Sequence, residues 1–438
     1  MNMAGAREAS GYRFLVGMVL LFLLVIFFQE PFIRLFPGSA IKYLDEVFVI
    51  GVLAFLVVRA LVTGRTSPLF LLSCAVLAYF VVVSMLGFQS SMEKIVVQSV
   101  IHWKFFVFLM ALDLVQLADP GGKSIRKLFV FVMAVSIAGF LLNLFLQERF
   151  LDFFNVPPAY RAGILRIEGF QLKPNDLGIH LGIAFIYYFV FRFSGNLPNI
   201  VFFTALFFLL ILITGSRAAL AAIPITLLVY FVYTRQWKVL GAMLLMALLG
   251  LVVFSGFVQD MLQRTIKNVS ELSDIENSLY IRGIMIYYGF VLLLRYFPIG
   301  TGAATFGSVE SGGSPVYEDL GLSDMRFFEQ MEGVYDSNLA TISGEFGAMG
   351  LLLFGIALAY VYYRSKARAA GNSRKMLYFR IVLIFMLLVA VVNPLFMYSY
   401  NALLFALAFK AGEVAGDQSL CSKPAPRSLG TDHETEAS

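Results

Sequence analysis

The sequence predicts an all-α protein that crosses a membrane many times, through about 12 transmembrane helices, with 11 as the alternative count. Hydrophobic residues make up 59% of the 438 positions and charged residues only 14%, whereas soluble proteins average about 45–50% and about 25%. The mean hydropathy is +0.81. This composition argues against a soluble enzyme, a nucleic-acid-binding protein and a disordered scaffold.

Long apolar runs supply the candidate crossings, each of which needs about 20 residues. They lie at 14–28, 40–63, 69–88, 95–117, 128–146, 177–191, 200–214, 218–233, 239–258, 340–363 and 381–409. Gly215-Ser216-Arg217 divides 200–233, which is too long for one crossing, into two helices joined by a tight turn. Asn393-Pro394 divides 381–409 in the same way, because the residue before proline disfavours helix.

Basic residues set the predicted orientation, since they are enriched in cytoplasmic loops. Segment 364–380 carries no acid and is the strongest cytoplasmic marker; its basic residues are Arg364, Lys366, Arg368, Arg374, Lys375 and Arg380. The predicted organisation is helices 1–5 over 1–146, an outer loop over 147–176, helices 6–9 over 177–258, a large outer loop over 259–337, the last helices over 338–411 and a disordered cytoplasmic tail over 412–438.

The large outer loop contains an apolar stretch at 283–294, bracketed by Arg282 and Arg295. It is too short to span the bilayer, so an interfacial or re-entrant helix is predicted.

Arg217 is the strongest candidate for a functional residue. A cation at the start of a helix opposes the helix dipole, so helix stability alone gives no reason for it. An anion bound between this guanidinium and the free N–H groups of the helix end would supply one. The alternative is an interfacial arginine that reaches lipid phosphate.

Further basic residues occupy the outer segments, which are otherwise acidic. They are Arg161, Arg166, Lys173 and Arg282. A cluster of guanidinium groups is suited to a diphosphate, because the planar fork binds phosphate oxygens in pairs. Each residue alone is equally compatible with a solvated or lipid-contacting charge.

The ionisable residues within the predicted spans include His102 and Lys104 in the fourth span and His180 in the sixth. Lys104 is placed to face the bundle interior or a water-filled cavity, or to snorkel outward. His180 is a candidate substrate contact or a hydrogen-bonded core residue. With three histidines in the chain, a histidine-rich metal site is not expected, and we expect neither a metal nor another cofactor.

Several motifs together resemble the superfamily of O-antigen ligases and Wzy-type O-antigen or exopolysaccharide polymerases. In chain order, the first is the loop from Arg166–Gly169 through Pro174-Asn175-Asp176, and the second is the signature turn at Thr214–Leu220. The second arginine block follows at Ser278–Arg282 and Pro298–Gly302, and the acid–glycine motif comes last at Glu345–Gly350. This is the order in which the family carries them.

The resemblance implies a GT-C-like membrane glycosyltransferase in the bacterial inner membrane, with its active site facing the periplasm. Its substrates would be undecaprenyl-diphosphate-linked glycans, as donor and acceptor, and no metal would be needed. Arg217 and Arg282 would hold the diphosphate. Other polysaccharide-assembly proteins, such as a flippase and a chain-length regulator, are candidate partners; nucleic acid is not.

Asp336 is the first candidate for the general base, ahead of Glu345 and Glu168, which are also candidate substrate contacts. Ligases of this superfamily carry a His-Asn pair where this chain has Asp336-Ser337, so a polymerase is favoured. The alternatives are an O-antigen ligase that transfers polymer to lipid A-core and, in a different class, a transporter or flippase for lipid-linked oligosaccharide.

Overall fold

The computed structural model describes residues 16–415, apart from 89–90, 162, 194–196, 324, 332 and most of 236–279. Most of the described residues are helical. The helices are α1 (Val16–Phe27), α2 (Gln29–Leu35), α3 (Leu44–Thr63), α4 (Pro68–Met85), α5 (Met92–Ala118), α6 (Lys123–Leu146), α7 (Glu148–Phe153), α8 (Pro174–Tyr188), α9 (Leu197–Thr214), α10 (Arg217–Leu220), α11 (Ala222–Thr234), α12 (Ile281–Arg295), α13 (Pro315–Asp319), α14 (Arg326–Glu329), α15 (Asn338–Arg368), α16 (Ser373–Val392) and α17 (Ser399–Val414).

Within the described residues, seven helices are long and apolar enough to cross a membrane, or eight if the bent pair α1 and α2 forms one crossing. The prediction of an all-α, multi-pass membrane protein is thereby confirmed. The count of 12 stays a prediction. The run at 177–191 forms α8, and a π-helical segment at Phe189–Phe193 continues this helix. The run at 239–258 lies outside the described residues.

Both predicted helix breaks are present. α9 ends at Thr214 and α10 begins at Arg217, with Gly215 at φ +66° between them; a side chain disfavours this left-handed conformation. α16 ends at Val392, Asn393 is extended, and α17 begins at Ser399. The helices therefore end at the two positions where glycine and proline interrupt an apolar run.

The centre of the bundle is formed by α5 and α17, whose side chains are buried along most of their length. α5 packs against α3, α4 and α17, and α17 also contacts α6 and α16. Both helices carry buried polar side chains, such as Lys104 in α5 and Lys410 in α17, which would be costly in contact with lipid. Many large aromatic side chains, including Trp103 and Phe105, are fully buried in the interior.

The predicted short helix at 283–294 is α12, which spans Ile281–Arg295. It buries one face, which includes Ile284, Met285 and Leu292, and packs against the first half of α15. α15 is broken at Gly347, where the backbone leaves helical geometry. The segment at 298–302 fills this break, with Gly302 N donating to Glu345 O at 2.7 Å.

Candidate active site: a pocket of arginines

The tight turn between α9 and α10 presents Arg217. Ser216 begins α10 by accepting a hydrogen bond from Ala219 N on its hydroxyl, the usual role of serine at this position. Arg217 to Thr234 then continues as an 18-residue apolar segment. Arg217 is half-buried, so its guanidinium is held at the end of a membrane helix.

The loop that precedes α8 places two more arginines against this turn. A two-residue hairpin pairs Arg161 with Ile164, and Arg161 Nη1 donates to the carbonyl of Gly215. Arg166 Nε donates to Thr214 O at 2.9 Å, and its Nη2 donates to Asn175 Oδ1 at 2.9 Å. The carbonyl groups freed at the end of α9 are therefore used to orient guanidinium groups.

Two glycines permit this close approach. A Cβ on Gly215 would lie 3.0 Å from Arg166 Nε, and a Cβ on Gly178 of α8 would lie 2.5 Å from Ser216 Cβ. The second distance is shorter than any ordinary carbon–carbon contact. α8 can therefore support the turn only if position 178 has no side chain.

The fourth arginine comes from α12, and not from the turn between α9 and α10 or the loop before α8. Arg282, in the first turn of α12, donates from Nε at 3.1 Å and from Nη2 at 3.0 Å to Asp336 Oδ2. Ser337 follows Asp336, begins α15, and donates from its hydroxyl to Val391 O at 2.6 Å. This bond joins the Arg282–Asp336 pair to the end of α16.

These elements enclose a pocket of about 220 Å³. The described residues that line it are Arg161, Arg166, Asn175, Gly215, Arg217, Ala218, Tyr280, Arg282, Val392 and Asn393. Four of them are arginines, and no carboxylate is among them. Asp336 lies just behind Arg282, with 27% of its side chain exposed. The pocket is built to attract an anion, because its positive charges exceed the negative charge nearby.

Burial, together with the charges of Arg161, Arg282 and Arg217, lowers the pKa of Arg166 to about 10, against an opposing effect of Glu168. The four guanidinium groups of the pocket repel one another. An anion between them would relieve their mutual repulsion and gain charge-assisted hydrogen bonds.

Glu168 lies behind Arg166 and is buried, at 2% exposure. Burial raises the pKa of Glu168 to about 7, although the charges of Arg166 and Arg34 favour its ionised form. Lys173 lies nearby, with its Nζ 3.7 Å from the centre of the Tyr398 ring. The structure thus brings together Arg161, Arg166, Arg217, Arg282 and Asp336, with Glu168 and Lys173 around them.

Three residues that were predicted to contact the substrate do not line this pocket: Lys104, His180 and Glu345. Lys104 Nζ lies 2.8 Å from Asp45 Oδ2 in a buried ion pair between α5 and α3, rather than snorkelling outward. His180 Nδ1 is 2.7 Å from Gln171 Nε2 in the bundle interior.

Glu345 is fully buried, and its carboxylate binds the segment at 301–308. Its Oε1 accepts hydrogen bonds from Thr305 N at 2.9 Å and from Ser308 Oγ at 2.6 Å. Its Oε2 is 3.5 Å from His102 Nε2. These contacts hold the segment at 301–308 against α15, which is a structural role away from the arginines.

The sequence reasoning overlooked Asn175, Tyr280 and Asn393 as pocket residues. It also did not predict the buried hydrogen bonds of Asp176, which accepts from Tyr400 Oη and from Asn401 Nδ2, the latter at 2.8 Å. Asn393 was visible only as a helix break before proline. Its proximity to the arginines depends on how α16 packs, which no local pattern encodes.

No model of a known protein family matches the chain, and no curated protein matches it either. Among the described residues, no group of three or more His, Cys, Asp or Glu side chains could hold a metal ion. The charged groups at the pocket are its four arginines and the nearby carboxylate of Asp336.

Proposed function

We propose that this chain is a membrane glycosyltransferase that polymerises oligosaccharide repeat units carried on undecaprenyl diphosphate. The observation that carries the proposal is the convergence of four guanidinium groups on one small pocket. A diphosphate supplies several phosphate oxygens to such a cluster, and the planar fork of arginine suits them. The motif resemblance over 160–365 supports the same substrate class.

The leaving group determines what the arginines would do. An acceptor sugar hydroxyl attacks the anomeric carbon, a carbon–oxygen bond forms there, and the bond from that carbon to the diphosphate oxygen breaks. Negative charge grows on the departing lipid diphosphate. Arg217, Arg161 and Arg166 on one side, and Arg282 on the other, would stabilise that charge in the transition state.

Asp336 is the carboxylate best placed to take the proton of the acceptor hydroxyl. It is partly exposed and sits on Arg282, so a diphosphate that draws Arg282 toward itself would leave Asp336 free to act as the general base. Asp336-Ser337 in place of His-Asn favours a polymerase over a ligase. In the predicted topology the pocket faces the periplasm of a bacterial inner membrane.

A reconstituted assay tests the proposal directly. The purified chain in liposomes is given a short oligosaccharide linked to undecaprenyl diphosphate, in the presence of EDTA, and products are separated by length. We expect a ladder of longer glycans that is lost in Arg282→Lys. Arg295→Lys is the matched control, because Arg295 ends the same helix and pairs with Asp319 at the surface.

The assay also distinguishes the alternatives. Movement of the glycolipid across the liposome membrane without lengthening would identify a flippase and refute the polymerase. Transfer of preformed polymer to added lipid A-core, with no lengthening of single repeats, would identify a ligase.

A further inference from the structure

A second cavity lies at the opposite end of α16 from the arginine pocket. Lys375, in the first turn of α16, lines it, whereas Val392, the last residue of that helix, lines the arginine pocket. The helical rise separates these two residues by about 25 Å. The second cavity has a volume of about 780 Å³, and the predicted topology puts it on the cytoplasmic side.

Cations predominate over carboxylates around this cavity. Asp113 accepts from Arg364 at 2.7 Å and from Arg368 at 3.3 Å, and Glu413 accepts from Arg368 at 2.6 Å and from Lys410 at 2.8 Å. Three cations therefore share two carboxylates.

Further positive charge comes from three more residues that line the cavity. Lys375 lies within it, and Arg59 and Arg65 lie on its exposed edge. The net charge of the lining is positive, so an anion would be attracted.

Arg364 points to a missing acceptor. Its Nη1 is used by Asp113, but its Nε and Nη2 are buried, and the described part of the chain offers them no hydrogen-bond acceptor. Buried donors without partners are costly, above all on a charged group. A guanidinium with two idle donors on one edge is the arrangement that a phosphate group satisfies.

Part of the wall of this cavity is apolar, although Thr66, Ser67 and Gln116 also line it. Its walls include Leu56, Phe70, Leu114 and Leu117, and α3, which supplies one wall, exposes Val58 and Leu61 on its surface. A cavity with a cationic end and apolar walls that adjoin a lipid-facing helix suits an amphiphile better than a free ion. Basic pockets of this kind between membrane helices hold lipid head groups.

We propose that this cavity binds the head group of an anionic phospholipid, with the lipid phosphate on Arg364 and Arg368 and an acyl chain along the apolar walls. The site is separate from the arginine pocket, and it does not depend on the proposed glycosyltransferase activity. Its occupant would tie the cytoplasmic ends of α3, α5, α15 and α16 together.

Thermal unfolding of the purified full-length chain in a neutral detergent tests the proposal. Dioleoyl phosphatidylglycerol should raise the unfolding temperature, whereas dioleoyl phosphatidylcholine and inorganic phosphate at the same concentration should not. Arg364→Gln should raise the phosphatidylglycerol concentration needed for half of the shift by about tenfold or more.

Arg65→Ala keeps the test decisive if Arg364→Gln fails to fold, because the Arg65 side chain is exposed at the edge of the cavity. It should raise that concentration about fivefold. Arg374→Ala is the matched control, since Arg374 is exposed beside Lys375 but does not line the cavity. Equal stabilisation by the two lipids, an equal shift with inorganic phosphate, or an unchanged response in Arg65→Ala would overturn the proposal.

Discussion

Replacement of Arg217 by lysine separates a diphosphate-binding role from a membrane-anchoring one. Lysine keeps the positive charge at the start of α10 and can still reach a lipid phosphate. It lacks the planar fork, so it cannot bind two phosphate oxygens in parallel. An anchor should therefore tolerate Arg217→Lys, and a diphosphate clamp should not.

The size of the effect follows from the pocket. Arg161, Arg166 and Arg282 remain in Arg217→Lys and the total charge is unchanged, so the loss is one of geometry. A hydrogen bond to a charged group is worth about 1.5–3 kcal/mol. If one such bond to the leaving group is lost, glycan lengthening should slow by about 10- to 100-fold, because about 1.4 kcal/mol corresponds to tenfold. Arg217→Ala, which also removes the charge, should be at least as slow.

The measurement is the rate of glycan lengthening in liposomes, normalised to the amount of folded protein. Arg235→Lys is the control, since Arg235 is exposed at the other end of the same helical segment and should retain the wild-type rate. Wild-type lengthening in Arg217→Lys would refute the clamp and weaken the glycosyltransferase assignment with it.

Three further predictions concern residues around the pocket. Asp336→Asn should leave the chain folded but slow lengthening by about 100-fold or more, the scale of a lost general base. Burial raises the pKa of Glu168 to about 7 from an ordinary value of 4.5, so its contribution to stability is present below about pH 4.5 and is lost as the pH rises to 7. Glu168→Gln should therefore gain thermal stability relative to wild type between pH 5 and pH 8. Gly178→Ala should slow lengthening at near-normal folded yield, because its Cβ displaces Ser216 and the turn beside it.

Each of these has an informative opposite outcome. Near-normal lengthening in Asp336→Asn would transfer the base to another carboxylate. A stability difference between Glu168→Gln and wild type that is constant from pH 5 to pH 8 would contradict the raised pKa. A fully active Gly178→Ala would show that the turn can shift without loss. Gly182→Ala, one helical turn further along α8, is its control: its Cβ would meet Phe385 at 3.0 Å, away from the arginines.

The parts of the fold that the sequence predicts well are those with a local cause. Gly215 and Asn393-Pro394 interrupt apolar runs, and the helices end there. Two arginines bracket the apolar stretch at 283–294 and predict a helix that is too short to span the bilayer. That helix is α12. Arg161, Arg166 and Arg217 line one pocket, and the sequence predicts their two segments on the same side of the membrane.

Contacts between distant segments could not be predicted in this way. The partner of Lys104 is Asp45, two helices earlier, and nothing in either segment identifies the other. Glu345 resembles a catalytic acid by its motif, yet its carboxylate holds the backbone of 305–306. The Arg282–Asp336 pair depends on how α12 packs against α15. Such pairings are properties of packing, which periodicity and composition do not specify.

The arginine pocket is assembled across a seam. Arg161, Arg166 and Arg217 belong to the wall made by the loop before α8 and by α10, whereas Arg282 belongs to the wall made by α12 and the start of α15. Like charges on facing walls repel, so the gap between the walls reflects a balance between that repulsion and the packing of both walls on α16. A dianion that touched both walls would draw them together, and its departure would let them separate. We therefore expect the width of the seam to depend on ionic strength.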